Sequence, residues 1–277
     1  MRVIQRLTRK ISRGFIHIIL VLCCLGILVP LIWVVRTSFV YRIEAYQIPP
    51  KWIFTPTTDN YLTIFSTHPF HLYLVNSLSI ALATTLISLA IGSLAAYSFA
   101  RFHIGGLWFN VGILTTQMLP PITLIIPFFL MARIANLINT RSILIIAYLT
   151  FNLPFVIWIM ASFFQGIPRE LEESAMMDGC SRAQAFLRII IPLSLPGLLS
   201  AGLFSFVLSW NEFLFALILT GKYSRTLPVG IAALVTQRGI LIGPVCAGII
   251  LVMLPMILLY FFTKTFLIHG LTLGAIK

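Results

Sequence analysis

The chain has 277 residues, 59% hydrophobic and only 9% charged, with a formal net charge of +12 and a mean hydropathy of +1.02. Soluble domains carry about 25% charged residues because their surfaces must be hydrated, so this chain cannot cover a water-facing surface and is expected to lie in lipid as a single bundle. The positive balance does not point to nucleic acid, because the basic residues are scattered between apolar runs with no dense patch interleaved with exposed aromatics.

Residues 1–13 read as a cytoplasmic basic leader carrying Arg2, Arg6, Arg9, Lys10 and Arg13, and residues 14–277 as one transmembrane domain. Nothing is charged between Arg13 and Arg36. That run suffices for one crossing, since a bilayer core of about 30 Å needs about 20 helical residues. Its apolar core is too long for a cleaved signal peptide and no small-residue cleavage site follows, so it reads as a signal anchor. A second helix is expected over about Leu72–Ala100, stopped by Arg101 and the Gly105-Gly106 turn. The third, about Leu107–Met131, contains Pro120, Pro121 and Pro127, which kink a helix and free backbone carbonyls. Arg133 and Arg141 bracket a short loop before a fourth helix ending near Phe164. The fifth is expected over about Gly197–Thr220 and the sixth over about Pro244–Thr263.

The expected fold is an all-α antiparallel bundle of six spans, without strand alternation or internal repeat. The basic leader places the amino terminus in the cytoplasm, and six crossings return the carboxyl terminus there. On that orientation the inner side receives eleven Lys and Arg and the outer side eight. Trp33, Trp108 and Trp158 are expected at the membrane interfaces. Cys23, Cys24, Cys180 and Cys246 form no CxxC pair and read as apolar thiols without a disulfide, metal or redox role. His68 and His71 lack an evident third ligand, so no metal site is assigned.

The acids are the informative residues. Of seven, Glu170, Glu172, Glu173 and Asp178 fall within nine positions, in the loop 165–196, which the orientation places in the cytoplasm. Pro168 suits the first turn of a short helix whose positive end is complemented by Glu170, Glu172 and Glu173. Gly179 suits the left-handed position that stops it. Ser181 followed by Gln184 is a capping box that starts a second helix. On that helix Ala183, Phe186, Leu187 and Ile190 make one apolar stripe, and Pro192 is expected to end it. A carboxylate-rich, amphipathic hairpin of this kind fits a protein groove better than an anionic leaflet, which would repel it.

These residues resemble the signature of the membrane subunits of bacterial binding-protein-dependent ABC importers: Glu-Ala-Ala, three residues, Gly, nine residues, then Ile-x-Leu-Pro. Glu173, Ser174 and Ala175 take the first places, Gly179 follows at the right distance, and Ile189, Ile191 and Pro192 close it. Ser174 replaces the first Ala and Ile191 replaces Leu. The segment Ser209-Trp210-Asn211-Glu212-Phe213-Leu214-Phe215-Ala216-Leu217 and the tail from Gly270 to Lys277 are similar to the carbohydrate-uptake branch, on the side of its maltose-permease-G-like members.

The resemblance implies a type I importer permease in the bacterial cytoplasmic membrane that moves a sugar or related solute. Its implied partners are a second permease subunit in a heterodimer, two ATPase subunits and an extracytoplasmic solute-binding protein. ATP and Mg would sit on the ATPase. The residues expected to couple to it are Glu172, Glu173, Ser174, Ala175, Asp178, Gly179 and Pro192. This chain has no GxxxxGK[ST] loop, no recognisable pairing of nucleophile and base, and hence no expected catalytic residue or cofactor of its own.

Candidates for a solute path are Asn211, Glu212, Gln117 and Asn152. Glu212 is the one carboxylate inside an apolar helix; unpaired in lipid it would be costly, so it faces water or the bundle interior, or pairs with Lys222 or Arg225. Intramembrane Asn76, Thr84, Thr85, Gln117 and Asn152 either line a path or join helices by hydrogen bonds. A secondary transporter driven by an ion gradient is the alternative function, and it would require midplane acids and usually an inverted repeat.

Overall fold

The computed structural model describes residues 2–102, 106–236 and 239–272, and of these only the backbone for 2–15, 107–110, 114, 236 and 262–272. The side chains of the basic leader, Trp108 and the chain end beyond Thr272 thus lie outside the described residues. In chain order the elements are α1 (Arg2–Ser38), α2 (Arg42–Ala45), α3 (Asp59–Thr67), α4 (Phe70–Phe102), α5 (Gly106–Met118), α6 (Pro121–Ile134), α7 (Arg141–Gln165), α8 (Glu170–Met177) and α9 (Arg182–Ala185). A π-helical stretch (Phe186–Ile190) follows, then α10 (Ile191–Leu193), α11 (Leu195–Trp210), α12 (Leu214–Leu219), α13 (Leu227–Ala232), β1 (Val235–Thr236), β2 (Gly239–Ile240) and α14 (Ile242–Thr272).

Among the described residues, four stretches are long and apolar enough to cross a bilayer unaided: Ile16–Ser38, Phe70–Phe102, Arg141–Gln165 and Ile242–Phe261. Two bent pairs bring the number of spans to six if each pair is one span. The expected third helix is one of these pairs, α5 and α6 meeting at 88°. Two successive prolines cause the break: neither supplies an N–H, each disfavours helical backbone in the residue before it, and Pro121 opens α6 instead. The expected fifth helix is also interrupted, between Trp210 and Leu214. One hairpin departs from the all-helical expectation. It pairs Val235 with Ile240 and Thr236 with Gly239, and Gly239 adopts a φ of +118° within β2, a backbone region that glycine tolerates.

The chain divides into two compact units, the residues up to Pro69 with Ile231–Met253, and Phe70–Gly230 with the chain from Leu254. In the first, the end of α1 is tied to α3. The Asn60 amide donates to the Ser38 carbonyl at 2.9 Å and the Val40 carbonyl at 2.8 Å. Arg36 lies over the Trp33 and Phe54 rings, and Trp33 meets Trp52 edge-on, so Trp33 anchors this end by packing. The most apolar window of α1 is wholly exposed on the isolated chain, as befits a surface solvated by lipid or a partner helix.

The second unit is built on the seam of α4, α7 and α11. Gly92 on α4 lets α7 approach: a Cβ there would meet Val156 Cγ1 at 2.7 Å. One apolar cluster joins Ile80, Leu144, Tyr148, Phe215 and Leu219. A second joins Ala96, Val156, Phe164, Phe186, Ile190 and Ala201 beneath the acidic loop.

Candidate functional site

The acidic loop begins with α8. Its acids lie in the first turn, where carboxylates complement the exposed N–H groups; Pro168 precedes the helix rather than opening it. Two bonds close the helix, Gly179 N–H to the Met176 carbonyl at 3.1 Å and Cys180 N–H to the Ala175 carbonyl at 3.0 Å. This is the pairing of a glycine-terminated helix, and Gly179 adopts the left-handed φ of +88° that it requires. The capping box is present: Ser181 N–H donates to Gln184 Oε1 at 2.8 Å and Gln184 N–H to Ser181 Oγ at 3.3 Å.

Beyond it the expected stripe shifts. Phe186 and Ile190 are buried with Ala185, whereas Leu187 is 63% exposed and Ala183 is exposed too. The π-helical stretch accounts for this. Pro192 has no N–H to complete the usual ladder, and the preceding turn widens so that Ile191 N–H bonds the Phe186 carbonyl. Pro192 does not end the helix, which continues through Leu193 and bends by 76° into α11.

Two neighbouring carboxylates on α8 have opposite surroundings. Glu173 is exposed together with Ser174 and Asp178, and Met177 is 89% exposed. Glu172 is buried, ion-paired with Arg101 Nε at the end of α4 and accepting from the Tyr97 hydroxyl at 2.7 Å. Ala175 is buried as well. Of the residues expected to couple, these two therefore face their own protein, because a carboxylate beside a buried guanidinium is held inward. Arg101 also donates to the Ile167 carbonyl at 3.1 Å. In the sequence Arg101 reads only as a helix stop. Its one signal was Tyr97 one turn earlier on the same face.

The second feature is a cavity of about 380 Å³ lined by Gln117, Pro121, Phe151, Phe155, Leu208, Glu212 and Phe215. Both helix interruptions open onto it. Glu212 accepts from Phe215 N–H at 2.9 Å and Ala216 N–H at 3.1 Å, capping α12. Neither Lys222 nor Arg225 is its partner among the described ion pairs. Asn152 lies elsewhere. It is fully buried, donating to the Tyr148 carbonyl and Ser209 Oγ at 2.9 Å each and accepting from Ser205 Oγ at 2.7 Å, so the structure takes it off the cavity wall and makes it a joint between α7 and α11. Asn211 is exposed and donates to the Val207 carbonyl at 3.0 Å. Asn76 donates to the Tyr223 and Arg225 carbonyls and accepts from Arg141.

Residues 88–267, which hold both features, match the family described as the binding-protein-dependent transport system inner membrane component. The chain belongs to this family. The permease is 36% identical to a probable ABC transporter permease protein, y4oR, of Sinorhizobium fredii, over 90% of each chain. It is 37% identical to the trehalose transport system permease protein SugB of Mycobacterium tuberculosis, over 90% of this chain and 92% of that one. Its fold matches a chain of a bacterial ABC transporter involved in alginate import, with a TM-score of 0.77 and 23% identity over 93% of the permease and 97% of that chain.

The protein is thus a multi-pass inner-membrane subunit of an ABC importer, which places it with ATP-driven uptake rather than with ion-gradient transport. Such a permease works with an ATPase and a solute-binding protein.

Proposed function

We propose that the permease conducts a sugar or related solute, pairs with a second, sibling permease, and receives the force of two ATPase subunits through the loop 165–196, with both chain termini in the cytoplasm. The sugar reading is supported by the relatives named for trehalose, diacetylchitobiose and sulfoquinovosyl glycerol transport. The coupling reading rests on one observation above all: α8 presents exposed Glu173 and Asp178 beside exposed Met177. That mixture of carboxylate and apolar side chain suits a groove containing basic residues. Gln117 and Glu212 line the cavity and are the candidate solute path; aromatic Phe151 and Phe155 beside a carboxylate and an amide suit a polyhydroxylated ring with apolar faces.

The test is uptake by the assembled transporter carrying Glu173→Lys or Gly179→Asp. Normal assembly with uptake lost and ATP hydrolysis no longer responding to the loaded binding protein is expected. Unchanged uptake in both variants would remove the loop from coupling. Purification of the native complex should yield an ATPase and a second six-span protein, and the ligand on the co-purified binding protein identifies the cargo.

A further inference from the structure

The acidic loop is held by more than the two spans it connects. Along the chain it joins α7 to α11, so force on it would be expected to pass into those helices alone. Yet the last turn of α4, which is not its neighbour in sequence, grips both of its arms. On the first arm, Arg101 forms the buried ion pair with Glu172 and holds the loop entry through the Ile167 carbonyl. On the second arm, Arg182 stacks over the Phe102 ring at 5.2 Å. Tyr97 touches both: its hydroxyl donates to Glu172 at 2.7 Å, and its ring packs 4.7 Å from that of Phe186.

A charged pair removed from water on both sides repays its desolvation only in a held geometry with its remaining sites filled. Here Glu172 has both oxygens engaged, by Arg101 and by Tyr97. The contacts combine an ion pair, a charge-assisted hydrogen bond and aromatic packing, so no single sliding motion preserves them all.

We infer that Tyr97, Arg101 and Phe102 form a positioning clamp that makes the loop and α4 one mechanical body, so that displacement of the loop drives α4 as directly as α7 and α11. The inference rests on the loop being the coupling element. It adds a third driven helix. It also assigns adjacent carboxylates separate tasks, with Glu173 facing the motor and Glu172 fastening the loop to the pore.

The experiment uses the complete transporter in lipid, with its ATPase, second permease and binding protein. Spin labels at exposed Leu171 on α8 and exposed Leu94 on α4 report the distance between the two elements with and without ATP. An unchanged distance is expected, while a change beyond the about 2 Å typical of helix sliding overturns the clamp. Uptake per ATP hydrolysed, measured at equal amounts of assembled complex, supplies a readout that loss of stability alone does not move. Glu172→Gln is expected to lower it about tenfold or more, as loss of a charged partner implies.

Tyr97→Phe removes a single hydrogen bond and is expected to lower the same ratio about threefold. Should Glu172→Gln fail to assemble, Tyr97→Phe and the labelled wild type decide the matter. A normal ratio in assembled Glu172→Gln or in Tyr97→Phe sinks the clamp. Glu173→Lys separates the two ideas. If it uncouples while the clamp variants do not, coupling through the loop stands and the clamp falls; if it too leaves the ratio unchanged, the coupling reading itself fails.

Discussion

The seam of α4, α7 and α11 and the cavity at the helix interruptions both place polar side chains inside an apolar unit, and they use them in opposite ways. On the seam Asn152 is closed on its neighbours: it is fully buried, and its amide engages Ser205, Ser209 and the Tyr148 carbonyl. At the cavity, Glu212 spends its carboxylate on the backbone of a restarted helix and still faces open space with Gln117. An unbroken helix satisfies its own backbone, leaving its side chains free to join a neighbour. A broken one exposes N–H and carbonyl groups that lipid cannot satisfy, so it is tolerated where protein or a cavity surrounds it. Polarity alone therefore does not tell a joint from a cavity wall; polarity beside an interrupted backbone is what sets Glu212 and Gln117 apart.

The largest effect should come from forcing the seam apart. Gly92→Leu places a side chain where Val156 Cγ1 already lies 2.7 Å from the added Cβ, and Val156 is fully buried with a stiff χ1 in its helix. Loss of assembled permease in membranes is expected. Gly92→Ala should assemble but cost about 1–3 kcal/mol, as overpacking does, and Val156→Ala should restore part of it. Additive losses in that pair, measured by unfolding in detergent, would show that close approach does not govern the seam.

Asn152→Leu comes next. It strips Ser205 and Ser209 of their shared partner, but serines in membrane helices can bond back to their own helix, so a cost of about 0.6–1.7 kcal/mol is expected. The solute concentration for half-maximal uptake should not change. A change there, with stability intact, would return Asn152 to the path.

Glu212 sharpens the contrast because it holds two jobs. Glu212→Gln keeps an oxygen to cap α12 but loses the charge; Glu212→Ala loses the cap as well, at about 0.5–2 kcal/mol. Both should weaken solute affinity about tenfold or more, as loss of a hydrogen bond to a charged group implies, while only Glu212→Ala lowers thermal stability. Equal stability losses with normal uptake would leave Glu212 a helix cap alone.

Much of this was legible in the residues, for reasons that differ from site to site. The spacing of charges delimited the spans because each charge in lipid is costly. Ser181, Gln184 and Gly179 announced the loop's helix ends because capping and left-handed backbone are local requirements. The prolines announce a kink but not an 88° break, since a proline's local effect is readable but the open space that lets a helix turn fully is not. The buried role of Glu172 was illegible because its partner Arg101 lies 71 residues away. The wider turn before Pro192 moved Leu187 out of a stripe drawn with a period of 3.6 residues.

The smallest effect separates path from glue most cleanly. Gln117 is exposed on the cavity wall at the end of α5 and neutral, so Gln117→Ala should leave unfolding unchanged. A neutral amide that hydrogen-bonds a hydroxyl contributes about 0.5–1.5 kcal/mol, which corresponds to a rise of about two- to tenfold in the solute concentration for half-maximal uptake. The maximal rate should hold, because the interaction helps the solute enter without taking part in motion of the loop. The reverse pattern, reduced stability with unaltered affinity, would make Gln117 a joint like Asn152 and would leave Glu212 as the one polar side chain for a solute among the described residues of the cavity wall.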